Sequence, residues 1–157
     1  MSNCVTGRGA ALAAALAFLA LAASAQAQSQ TPPAPQLRPA PVLVFLAPEF
    51  YEAGGKQMTR YRFQVENSSE YPNELFAPAP DLPPCGNNRK AARTWVELYD
   101  QQGRRLNGFC ALGGNKDLGQ IWFALETGVV PPSWVYVEMH DRRTNAKSKS
   151  ALAETVQ

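Results

Sequence analysis

The sequence predicts an all-β domain, a small two-sheet sandwich of six or seven strands. Three observations predict it. Apolar and polar residues alternate with period two in "MTRYRFQVEN" (58–67) and "SWVYVEMHD" (133–141). Glycine, proline, Asp and Asn clusters cut the chain into short segments, as hairpin connections require. After the N-terminal apolar run, no helical periodicity extends beyond a few turns. A compact β-barrel is the alternative that the same strand count allows.

The N-terminus reads as an export signal. Arg8 precedes the apolar run "GAALAAALAFLALAA" (9–23), which is too short to span a bilayer comfortably. Ala25 and Ala27 place two small side chains for cleavage after Ala27, with cleavage after Ala25 the close alternative. No cysteine follows the run immediately, which argues against a lipid anchor, and no later run has transmembrane length. Residues 1–27 are therefore expected to be a signal peptide, and 28–41, "QSQTPPAPQLRPAP", a proline-rich tether without a core. The folded domain is expected over 42–157, periplasmic or extracellular.

Within it, "VLVFLAPEFY" (42–51) is strand-like and "GGK" (54–56) turns the chain. Tyr61, Phe63 and Val65 then face one way, with Arg60, Arg62, Gln64 and Glu66 facing the other. "ARTWVELYD" and "RRLNGFCAL" form a hairpin across Asp100–Gly103. In the simplest register Tyr99 pairs with Arg104 and Trp95 lies opposite Gly108, with the indole over the glycine; a bulge would alter this. Apolar residues on both faces predict a central pair of strands. "GGNKDLGQ" reads as a turn or short helical link, and "IWFALE" and "SWVYVEMHD" as two further strands. The tail from Ala146 supplies a last edge strand or frays.

Two cysteines lie in the domain, Cys85 and Cys110. In an oxidising compartment they are expected to form a disulfide closing a loop of 26 residues. The bond would pin the proline-rich "EYPNELFAPAPDLPPCG" (70–86), whose Tyr71, Phe76 and Leu82 would lid an edge or end of the sandwich. The same loop is the leading binding candidate, presenting Tyr71, Phe76 and Leu82 to an envelope or extracellular protein, with Trp134 at a strand start as a further contact.

The order Cys85, Trp95, Cys110 superficially resembles an immunoglobulin core, but the cysteines are too close in sequence for its inter-sheet bond. The architecture is thus immunoglobulin-like or fibronectin type III-like only. "DLPPCG", "RTWVELYDQQGRRLNGFC" and "VYVEMHDRRT" resemble small exported bacterial β-sandwich proteins without an assigned function. That resemblance carries over no catalytic residue.

Little points to catalysis. His140 is the single histidine and has no nucleophile context beside it. Glu97 and Glu138 are the carboxylates that a small hydrolase would use. Trp122 and Trp134, if exposed and coplanar on one sheet face, would instead make a carbohydrate-binding module. With Arg8 removed, 14 basic residues balance 13 acidic ones, so no charge excess favours nucleic acid. Neither a metal site nor a cofactor is expected.

Overall fold

The computed structural model describes residues 36–85 and 90–155. The expected signal peptide and cleavage site, the expected tether up to residue 35, residues 86–89 and the last two residues lie outside them. Eight strands occur among the described residues: β1 (Leu43–Ala53), β2 (Lys56–Val65), β3 (Thr94–Asp100), β4 (Arg105–Ala111), β5 (Ile121–Glu126), β6 (Trp134–Asp141), β7 (Ala146–Lys149) and β8 (Ala153–Glu154). They form two antiparallel sheets, one in the order β1-β2-β5 and one in the order β4-β3-β6-β7 with β8 also on β6. This is a sandwich of two open sheets.

The eighth strand comes from the tail. β7 pairs with Glu138–Asp141 and β8 with Trp134–Val135 along one edge of β6. Between them Ser150 continues the ladder: its N–H donates to the Val137 carbonyl and its hydroxyl accepts the Val137 N–H. The tail is one edge strand interrupted by a side-chain bond.

The core forms where the two inner faces meet. Tyr61, Phe63 and Val65 of β2 and Ile121 and Phe123 of β5 oppose Val96 and Leu98 of β3 and Val135, Val137 and Met139 of β6. Phe123 stacks on Tyr61 at 4.9 Å and on Phe63 at 6.0 Å between centroids. Each such buried side chain contributes about 1.5–3 kcal/mol. Packing begins before Val42, because Leu37 is buried in the same cluster. The end of the presumed tether therefore belongs to the domain.

The hairpin register differs from the simplest reading. Tyr99 pairs with Arg105, and Leu106 is an extra residue before Leu98 pairs with Asn107. Trp95 consequently pairs with Cys110 and Glu97 with Gly108. The indole still covers the glycine, for a Cβ on Gly108 would lie 3.2 Å from Trp95 Cζ2. Asp100 organises the turn: Oδ1 accepts the Gln102 and Arg104 N–H groups, and Oδ2 accepts Arg104 Nε–H at 2.6 Å. β3 is central, whereas β4 is an edge strand.

The first half of the proline-rich loop joins the core through Tyr71, Leu75 and Phe76. Two 3-10 turns, Ser68–Glu70 and Asn73–Phe76, fold it inward. The Thr94 hydroxyl donates to the Leu75 carbonyl, Gly114 N–H to the Phe76 carbonyl, and the Tyr71 hydroxyl to the Pro39 carbonyl. Pro78 then bridges Ala92, and the Cys85–Cys110 disulfide ties the segment to β4.

Behind the loop lies a buried ion pair. Arg93 donates to Asp141 through Nε at 3.1 Å and Nη2 at 2.8 Å. Asp141 also accepts the Arg143 N–H and the Thr144 hydroxyl. Burial opposes the charge on Asp141, but these bonds outweigh it and hold the carboxyl below its usual range. Arg142 extends the network to the loop, donating to the carbonyls of Ala92 and Pro83.

Replacing Cys85 and Cys110 with serine should lower stability by about 3.5 kcal/mol on the loop-entropy estimate, read from chemical unfolding. An unchanged midpoint would show that packing alone holds the loop. A second expectation concerns pH. The depressed folded-state pKa of Asp141 gives stability that is complete above the unfolded value, about pH 4, and is lost as pH falls through the folded value. The thermal midpoint should fall steeply below about pH 4. Asp141→Asn should start about 3–5 kcal/mol less stable and lose part of that acid dependence.

Candidate functional site

The loop chosen from sequence divides into a buried and an exposed half. Tyr71 is 2% exposed and Phe76 0%, packed edge-to-face with centroids 6.0 Å apart. Both lid the sandwich, and neither meets a partner in this conformation. Their apolar rings pack better against Leu75 and Leu118 than against water, and the two 3-10 turns make that possible. Burial, with the negative charge of Glu70 nearby, pushes the Tyr71 hydroxyl up to about 12.

Leu82 is half-buried and does line a surface groove. With Pro78, Pro80, Pro84, Lys90 and Ala91 it bounds a volume of about 350 Å³. The walls are braced at several points. Ala79 N–H donates to the Ala91 carbonyl and Leu82 N–H to the Ala79 carbonyl. Arg142 holds the Pro83 carbonyl at 2.8 Å, and Arg143 pairs with Asp81 at 2.6 Å. Prolines and braces together leave little conformational entropy to lose on binding.

Trp122 and Trp134 are both exposed, 38% and 40%, but they belong to different sheets. They do not form one aromatic platform. Trp134 stands at the start of β6, alternating with buried Val135. Trp122 stands on β5 beside β2, where the Arg60 guanidinium lies 4.7 Å from the indole and 4.7 Å from the Tyr51 ring. The aromatic-cation-aromatic stack joins all three strands of its sheet and fixes the indole. Sequence reasoning missed it because the three residues are far apart along the chain. The period-two pattern did place Arg60 on the outer face.

On its other side, β5 meets the β4 edge. Asn107 Nδ2 donates to the Trp122 carbonyl at 2.6 Å, bringing the strands of the two sheets together. A crevice of about 350 Å³ opens there, lined by Asn107, Gly108, Phe109, Asp117, Gln120 and Trp122.

Glu97 and Glu138 do meet. They are direct partners across β3 and β6, on the outer face of the five-stranded sheet. Pairs at such positions have Cβ atoms about 4.5–5.5 Å apart. Each acid has its own partners: Glu97 accepts from the Tyr99 hydroxyl at 2.7 Å and pairs with Arg105 at 3.2 Å, while Glu138 pairs with Lys147 at 2.7 Å. Burial raises the Glu97 pKa, but hydrogen bonds from Trp95, Tyr99 and Arg105 prevail and leave it below the usual range. A glycosidic acid needs the opposite shift. His140 bonds Asn145 Oδ1 at 2.7 Å and pairs across the strands with Trp95 and Lys147. Among the described residues, no group of three or more His, Cys, Asp or Glu side chains could hold a metal.

Compared with protein families, curated proteins and solved structures, the chain matches none. The fold and these surfaces therefore carry the functional reading.

The Arg60 stack makes a spectroscopic prediction. In protein whose other tryptophans are replaced by phenylalanine, Arg60→Met should make Trp122 more accessible to acrylamide quenching. Unchanged quenching would mean that the guanidinium does not hold the ring.

Proposed function

We propose that the domain is a non-catalytic binding module, exported and oxidised, that engages a protein of the cell envelope or its surroundings at the proline-lined groove. One observation carries the reading: a concave, mainly apolar surface of about 350 Å³ takes three prolines among its described lining residues and is held by the disulfide, the Arg142 contacts and the Arg143–Asp81 pair. Rigid apolar concavities favour binding because little order has to be imposed on them.

The groove fits an extended apolar segment. Lys90 on its wall favours an acidic residue or terminal carboxylate beside that segment. Relative to the reading from sequence, Leu82 remains a contact, and Tyr71 and Phe76 become its foundation. Export rests on the basic residue, apolar run and small residues of the N-terminus, and the disulfide fits that placement.

The decisive experiment is site-specific photocrosslinking from position 82 in native envelope extract, followed by Leu82→Asp and Lys90→Glu variants. Leu82 is only half-buried and Lys90 is exposed, so both variants should stay folded. A single protein crosslinked from position 82, with at least about tenfold weaker binding to each variant, is expected. Binding untouched by both substitutions would refute the groove. Phe76→Ala would not serve, because it opens the core.

A further inference from the structure

We infer that the crevice between β4 and β5 is a binding subsite for a neutral sugar ring, with Trp122 as its aromatic wall. The subsite is separate from the proline-lined groove and does not rest on it. Three features converge there. Arg60 steadies the indole from the β2 side, while the crevice opens on the β4 side, so the wall is set before a ligand arrives. Gly108 contributes only backbone to the lining, for a Cβ there would point to the outer face of its sheet, against Trp95 and Glu97.

Polar groups ring the void. Asp117 Oδ2 accepts the Leu112 and Gly113 N–H groups at 2.8 Å each, which orients the carboxylate, and no hydrogen bond is made by Oδ1 among the described residues. Gly113 permits this approach, since a Cβ would fall 2.5 Å from Asp117 Oδ1. The exposed Gln120 amide supplies both donor and acceptor at the mouth.

Charge selects among possible ligands. The Asp117 carboxylate repels an anion. A second cation on Trp122 is opposed by the guanidinium already stacked on it. What remains is a neutral ring with an apolar face and hydroxyls at its edge. A volume of about 350 Å³ lies at the small end of ligand sites, about 300–1,000 Å³, which suits one or two sugar units.

The test titrates oxidised, isotope-labelled protein with cellotriose, maltotriose, chitotriose and mannotriose, each to about 10 mM, where even weak binding registers. Amide and indole resonances are followed. One trisaccharide should shift the Gly108 and Gln120 amides and the Trp122 indole N–H together. Trp122→Ala and Gln120→Ala should each weaken that binding, the former by about tenfold or more. Gln120 is exposed and its replacement leaves the fold intact, so a folding failure of Trp122→Ala would not leave the question open. Absence of shifts with all four sugars overturns the inference. So does binding that survives both substitutions or maps to Trp134.

Discussion

The Arg93–Asp141 pair is the constraint around which one end of the domain is built. It joins the approach to β3 with the end of β6, and its carboxylate also fixes the turn that leads into β7. Two charges taken out of water demand a full set of partners. That demand brings Arg143 and Thr144 onto Asp141, places Arg142 beneath the loop carbonyls, and sets where the loop backbone can run. A hydrophobic pair of equal volume would hold the strands together without specifying those directions. The position of the groove thus descends from an ion pair that touches no ligand.

Sheet edges show a second constraint. β1 is a long edge strand, yet Leu46 bulges out of its ladder and Pro48 removes a donor from it. Both features discourage edge-to-edge pairing. The β5 edge is engaged differently, by the Asn107 amide on the Trp122 carbonyl. On β6, the break at Ser150 keeps β7 and β8 short. Each edge is managed by a particular residue, which leaves side chains and loops as the surfaces available for recognition.

Period-two alternation made β2 and β6 legible, because one face of each is core and the other solvent. Turn chemistry made the Asp100–Gly103 hairpin legible, although Leu106 shifted its register; a bulge leaves no mark in residue type. The loop was half legible. Its cysteine partner followed from the expected compartment and the cysteine count, but the burial of Tyr71 and Phe76 depends on Leu75, Leu118 and the two 3-10 turns meeting in space. The candidate sites were the least visible. Trp122 needs Arg60 on β2 and Asn107 on β4, and only sheet order and sheet packing bring those strands to either side of β5. Glu97 and Glu138 were legible as strand-borne acids, but neither their cross-strand pairing nor the partners of each could be read from spacing.

The disulfide also has a kinetic meaning. The three-stranded sheet needs β2 to find β5, with Phe63 opposite Ile121 and two strands of the other sheet lying between them in the chain. Pairing across so long a stretch is slow, because the loop must close before any contact rewards it. Cys85 and Cys110 both lie inside that stretch, 25 positions apart, so the crosslink bypasses much of it. The oxidised chain searches a shorter path to its first sheet. The same bond that anchors a finished loop thereby shortens the interval during which the apolar faces of β2 and β5 stand open to other chains.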